Sequence, residues 1–284
     1  MTNKEDVEMR IERLYWSLLL AACLVGCGHK QEPASDLAQI KAYAKAEVTI
    51  ERMRKHQNPD WAAIASQYEI TSAIVKRIDG KWATDYDIQI RRVLDKCAAG
   101  EKVKVNQQIL AKGLQHVTVM AITDELDAMA GSDVAGRKAA FERIGAYFEG
   151  IRPTFIRRDK DFFGQNKTLE SAAEAAIEQL SRADSSTLLT ARRELEDVIA
   201  RTYALCVLFE IMDIEKLRSS DLDKCEVKQK EAEIFYRIIK PRIQKRGAKT
   251  SQIIANMLAG DYDIMDAKAL ENYLTAGLAM PSLR

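Results

Sequence analysis

Chain breakers are scarce in this sequence. Proline occurs five times and glycine 13 times in 284 residues, too few for the many short connections of a β-rich fold. From Asp36 onward, apolar residues recur three and four positions apart, with no convincing run of alternating residues, so the body is expected to be all-α. Ala, Leu, Ile, Glu, Lys and Arg dominate, and aromatic residues make up only 7%, a composition rich in good helix formers. Asp36 is a plausible N-cap for a helix to about Arg54, with Leu37, Ile40, Tyr43, Ala44 and Val48 as its apolar positions. Asn58-Pro59-Asp60 stops that helix and starts another, which carries the stripe Trp61, Ile64, Tyr68, Thr71, Val75 and Ile78 through about Gly80. Further helices are predicted over roughly 86–98, 104–130, 135–158, 168–183, 187–218, 222–246, 250–259 and 265–276.

A self-match at a shift of 88 residues runs through this body. Leu110, Val117, Val119, Met120, Leu126 and Met129 face Val198, Leu205, Val207, Leu208, Ile214 and Leu217. Ser132-Asp133 matches Ser220-Asp221, Tyr147-Phe148 matches Phe235-Tyr236, and Ile151-Arg152-Pro153 matches Ile239-Lys240-Pro241. Asp85-Tyr86-Asp87-Ile88 recurs unchanged as Asp261-Tyr262-Asp263-Ile264, two shifts away, and its acids suit a helix N-terminus. The expected architecture is a helical bundle built from a duplicated unit of about 88 residues, each with a proline-bent helix. The copies would span about 85–172 and 173–260, with a partial third over 261–284.

Charge is nearly balanced, 43 basic residues against 42 acidic. A nucleic-acid partner would call for a basic excess or stripe, so none is expected. Of five cysteines, Cys23 and Cys27 lie near the start, while Cys97, Cys206 and Cys225 lie in the body. Cys206 sits in an apolar run and reads as a buried hydrophobe; whether Cys97 and Cys225 pair stays open.

From Leu14 to Cys27 the chain is largely apolar, preceded by Arg10 and Arg13. At 14 residues it is shorter than the roughly 20 of a spanning helix, and it reads as the apolar core of an export signal. It ends in Leu24-Val25-Gly26-Cys27, with Leu20-Ala21-Ala22-Cys23 as the alternative. The first of these resembles the lipobox of bacterial lipoprotein precursors. The resemblance covers about the first 30 residues. It implies a signal peptide over 1–26, diacylglycerol and acyl (palmitate-type) lipid on Cys27, and Cys27 as the mature N-terminus. Gly28 stands where the family's inner-membrane retention rule wants Asp, which implies outer-membrane sorting in a Gram-negative envelope, facing the periplasm. Residues 27–35 read as a polar tether, and 36–284 as the helical domain. The body itself resembles no recognisable family.

Glu125 and Asp213 are equivalent under the shift, and His116 and Met120 lie one turn apart on the same helix as Glu125. Together these four form a candidate metal or ligand set between the two halves. The simpler reading is solvated acids near helix ends, with His116 a hydrogen-bonded boundary histidine. Arg157-Arg158 and Lys245-Arg246 are expected to end their helices and oppose the dipole; converging, they would form an anion or partner contact. No phosphate loop, nucleophile elbow, HExxH or paired CxxC pattern occurs. The function expected is therefore that of a membrane-anchored envelope lipoprotein acting as a non-enzymatic interaction module, with an envelope protein as partner. The alternative is a periplasmic metal-, haem- or small-ligand-binding protein that uses the interface between repeats.

Overall fold

The computed structural model describes residues 36–284 apart from 165 and 185. The segments expected as export signal, lipobox (with Cys23 and Cys27) and tether lie outside the described residues. Among those described there are ten α-helices and no strand: α1 (Leu37–Met53), α2 (Trp61–Trp82), α3 (Tyr86–Ala98), α4 (Val103–Ala130), α5 (Val134–Phe163), α6 (Thr168–Arg182), α7 (Leu188–Leu217), α8 (Leu222–Arg246), α9 (Ala248–Leu258) and α10 (Ala267–Leu278). A single 3-10 turn, Tyr262–Ile264, separates α9 from α10. The all-α expectation stands.

Aspartate marks many of the starts. The side chains of Asp60, Asp133, Asp221 and Asp266 each accept a hydrogen bond from the backbone N–H three residues on, satisfying a donor that the first turn leaves free. Two helices are capped from elsewhere. Asp79, near the end of α2, accepts from the backbone N–H groups of Tyr86 and Asp87 at 2.8 Å each. Asp159, in α5, accepts from those of Leu169 and Glu170. Asp85 makes no side-chain cap bond, so the cap expected there is supplied by Asp79. The repeated Asp-Tyr-Asp-Ile also takes two forms: it opens α3 at its first occurrence and forms only the 3-10 turn at its second.

The helices pack largely as neighbours in sequence. α4 and α5 form one antiparallel hairpin, and α7 and α8 another. The hairpins meet where α4 lies beside α8, running the same way: Lys102 pairs with Glu226, and ten residues on Lys112 sits 5.0 Å over the Phe235 ring. α4 is therefore enclosed, and Leu110 through Gln115 are all buried. A helix surrounded in this way shows little amphipathic period. α1 crosses the α4–α5 hairpin, running parallel to α5 as Tyr43 packs edge-on against Tyr147 and Glu51 meets Arg157.

Pro153 lies inside α5 and Pro241 inside α8, 88 residues apart, and the two helices also start 88 apart. The aromatic pairs Tyr147-Phe148 and Phe235-Tyr236 are core residues. Cys97, Cys206 and Cys225 are buried free thiols. No helix among the described residues is long and apolar enough to cross a membrane.

Candidate functional site

The residues singled out from the sequence are held apart by other partners. His116 is half-buried, and its Nδ1 shares a hydrogen bond with the Tyr86 hydroxyl; burial, with Arg237 nearby, pulls its pKa down to about 4. Met120 is buried one turn further on. Glu125 is no solvated end residue: it is 3% exposed and bonded to Arg143 at 2.7 and 2.9 Å. Asp213 lies between Lys228 at 2.9 Å and Lys216 at 3.2 Å. Among the described residues, no three His, Cys, Asp or Glu side chains gather in a way that could hold a metal ion.

The basic pairs do not converge. α5 runs on to Phe163, so Arg157 and Arg158 are interior to the helix rather than at its end. Arg158 is 4% exposed, stacked 4.1 Å over the Phe209 ring and paired with Asp161. Lys245 and Arg246 do close α8 and are exposed. One turn before them Arg242 pairs with Asp197 of α7. Asp197 and Phe209 are 12 residues apart on that helix (209 − 197), about 18 Å along the axis, so the two basic pairs lie at different levels of the bundle.

What the fold does bring together is a set of buried ionisable groups between α1, α4 and α5. Glu47 projects from α1 into the interior, 4% exposed, where Val48 beside it is 39% exposed. It thus takes the inward position that apolar spacing assigns to Val48. Thr118 Oγ1 donates to Glu47 Oε2 at 2.7 Å and itself lies 2.9 Å from the Tyr43 hydroxyl. Gly150 makes room for this carboxyl, since a Cβ there would overlap Glu47 Oε2 and stand 3.2 Å from its Cδ. One turn along α1, Glu51 accepts from Arg54 at 2.7 Å and from Arg157 at 3.3 Å.

Electrostatics divides these two acids. Burial pushes the pKa of Glu47 up to about 8, and the Glu51 charge adds to the shift. Burial also disfavours the Glu51 carboxylate, but Lys112 and Arg54 outweigh it and hold Glu51 well below the ordinary range. Lys112 is 2% exposed, and burial lowers its pKa against the opposing pull of Glu51 and Glu231. A second cluster joins α7 to α8: Lys228 stands 2.8 Å from Glu210, 2.9 Å from Asp213 and 3.8 Å from Glu231. Burial and the neighbouring Glu231 raise Glu210 to about 8.

Between α1, α4 and α5 lies a cavity lined by Glu47, Glu51, Gln115, Gly150, Thr154 and Arg157, among others, with a water-accessible volume near 20 Å³. That is room for about one water. Buried acids and a buried lysine with shifted pKa values are what general acid–base chemistry requires, but this space admits no organic substrate. The apolar spacing that includes Val48 misses this site; the spacing Ile40, Tyr43, Glu47, Ile50 is the signal that could have found it. In comparisons with protein families, with curated proteins and with solved structures, nothing matches this chain.

Proposed function

We propose that the chain is a lipid-anchored envelope protein, acylated on Cys27, whose helical body is a non-enzymatic interaction module. The observation that carries this reading is Leu24-Val25-Gly26-Cys27, closing a short apolar stretch flanked by Arg10 and Arg13. The folded body supports it through position. α1 begins at Leu37, ten residues after Cys27 (37 − 27), and ten extended residues reach at most about 35 Å. The body would work within that distance of the bilayer, tethered in the periplasm to the outer membrane. A single acyl chain binds a membrane only marginally, whereas the diacylglycerol and amide-linked chains implied for Cys27 give a stable anchor. The buried acids and lysine surround a space the size of a water, too small for an organic substrate, which supports an interaction role for the body.

The test compares the wild type with Cys27→Ala in the native bacterium, using a clickable palmitate analogue, membrane fractionation and in-cell cross-linking. Label, membrane association and a discrete cross-linked envelope protein are expected for the wild type, and the first two should vanish in the variant. Equal labelling and fractionation of both chains would overturn the anchor. Turnover of a defined envelope substrate, with no cross-linked partner, would overturn the binding role.

A further inference from the structure

Glu47 and Gln115 both line the cavity between α1, α4 and α5, and each carries a buried acceptor oxygen without a protein donor. Glu47 Oε1 and Gln115 Oε1 are both buried and have no hydrogen-bond partner among the described residues. Glu47 is 4% and Gln115 6% exposed, so bulk water does not satisfy them. Two bare acceptors on residues lining one small cavity leave two buried polar groups unmet. A hydrogen between them removes both problems. The opposite carboxyl oxygen, Oε2, already accepts from Thr118, which leaves Oε1 as the atom to carry it.

We propose that Glu47 binds a proton in the folded protein, and that this neutral carboxyl, joined to Gln115 across the cavity, latches α1 onto the α4–α5 hairpin. The cavity has room for one water, enough to complete a chain from Glu47 Oε1–H to the Gln115 carbonyl when the two do not touch directly. The surrounding charges fit a neutral acid. Glu51, one turn away on α1, is ionised and bound by Arg54 and by Arg157 of α5, so those cations are engaged. From α4, Lys112 is the one cation whose charge favours an ionised Glu47, and it is shared with Glu51 and Glu231. From α5, Tyr147 takes a hydrogen bond from Arg77 of α2. Tyr43 of α1, Tyr68 of α2 and Tyr203 of α7 complete the ionisable groups nearby, and burial holds all three hydroxyls protonated. The raised affinity of Glu47 for protons, to about 8, agrees.

An acid that keeps its proton when folded and loses it when exposed makes opening pH-dependent. Freed from the bundle, Glu47 ionises near its ordinary value of 4.5, so release of α1 becomes easier as pH rises from there to about 8 and then levels off. The latch is tightest in acid. It stands on the geometry of the body and is independent of acylation at Cys27.

The experiment uses the full chain and the isosteric Glu47→Gln variant. Infrared difference spectra at neutral pH should show the carbonyl stretch of a protonated carboxylic acid in the wild type that is missing in Glu47→Gln. In hydrogen–deuterium exchange, the opening constant of α1 should climb toward tenfold per pH unit in the wild type relative to the variant, below about pH 8. Identical spectra would overturn the proposal and mean that the Gln115 amide is turned over, donating to an ionised Glu47. A pH-independent ratio of opening constants would overturn the latch. Failure of Glu47→Gln to fold would also contradict it, because the amide is a neutral stand-in for the protonated acid.

Discussion

Gly150→Ala tests the packing of α1 through a single methyl group. In most helix interiors this change gains about 1 kcal/mol, because alanine is the better helix former. Here the added Cβ overlaps Glu47 Oε2 and comes within 3.2 Å of Cδ, while the nearest backbone atom, Ala44 Cα, stands at an ordinary 3.5 Å. Glu47 must move, and moving it breaks the 2.7 Å bond from Thr118. Overpacking costs about 1–3 kcal/mol, and the lost hydrogen bond costs about 1 kcal/mol more. After the helix gain is subtracted, the variant should be less stable by about 1–3 kcal/mol, a Tm lower by roughly 2–12 °C at 2–4 °C per kcal/mol. The sign should reverse once the obstacle is removed. On a Glu47→Ala background the same glycine change should stabilise by about 1 kcal/mol, giving a coupling of roughly 2–4 kcal/mol in a double-mutant cycle. Urea unfolding of the four proteins at pH 7 measures it. If Gly150→Ala costs the same with and without the Glu47 side chain, room for the Glu47 carboxyl is not what the glycine serves.

Two further outcomes follow from the buried charges. The folded pKa of His116, near 4, lies below its ordinary 6.5, so the unfolded chain takes up the proton first as pH falls. The stability linked to the neutral ring is intact above pH 6.5 and is lost toward pH 4, by about 1–3 kcal/mol for this half-buried group. His116→Gln should flatten that acid limb in thermal melts; an unchanged limb would assign it elsewhere. Lys228→Met removes the cation shared by Glu210, Asp213 and Glu231, and should destabilise by about 2–4 kcal/mol at neutral pH. Glu210, raised to about 8, already holds its proton at neutral pH, so the loss should shrink as acid protonates the carboxylates still ionised there, and an equal loss at both pH values would exclude a charge effect.

Helix positions were legible because their signals are local. The Asn58-Pro59-Asp60 break, the Ser-Asp turns at 132–133 and 220–221, and the stripe from Ile64 to Ile78 all match observed boundaries or buried faces. The end of α5 was misplaced because Arg157-Arg158 looks like a basic helix terminus. In the fold Phe209 of α7 covers Arg158, a contact 51 residues away (209 − 158) that no local pattern contains. Buried Glu125 escaped for a similar reason, since Arg143 on the returning helix neutralises it. Lys112 and Gln115 sit on a helix enclosed on all sides, where periodicity no longer separates inside from outside. Glu47 was the exception. It lies at the spacing of Ile40, Tyr43 and Ile50, yet an acid there reads as surface until Gly150 and Thr118 are seen to receive it.

The central claim concerns the chemistry of Cys27, and mass spectrometry of the protein purified from its native cells addresses it directly. The account predicts a chain beginning at Cys27, heavier than the 27–284 polypeptide by a diacylglycerol and an amide-linked acyl group. Recovery of residues 1–284 uncut and unmodified from the cytosol would contradict it.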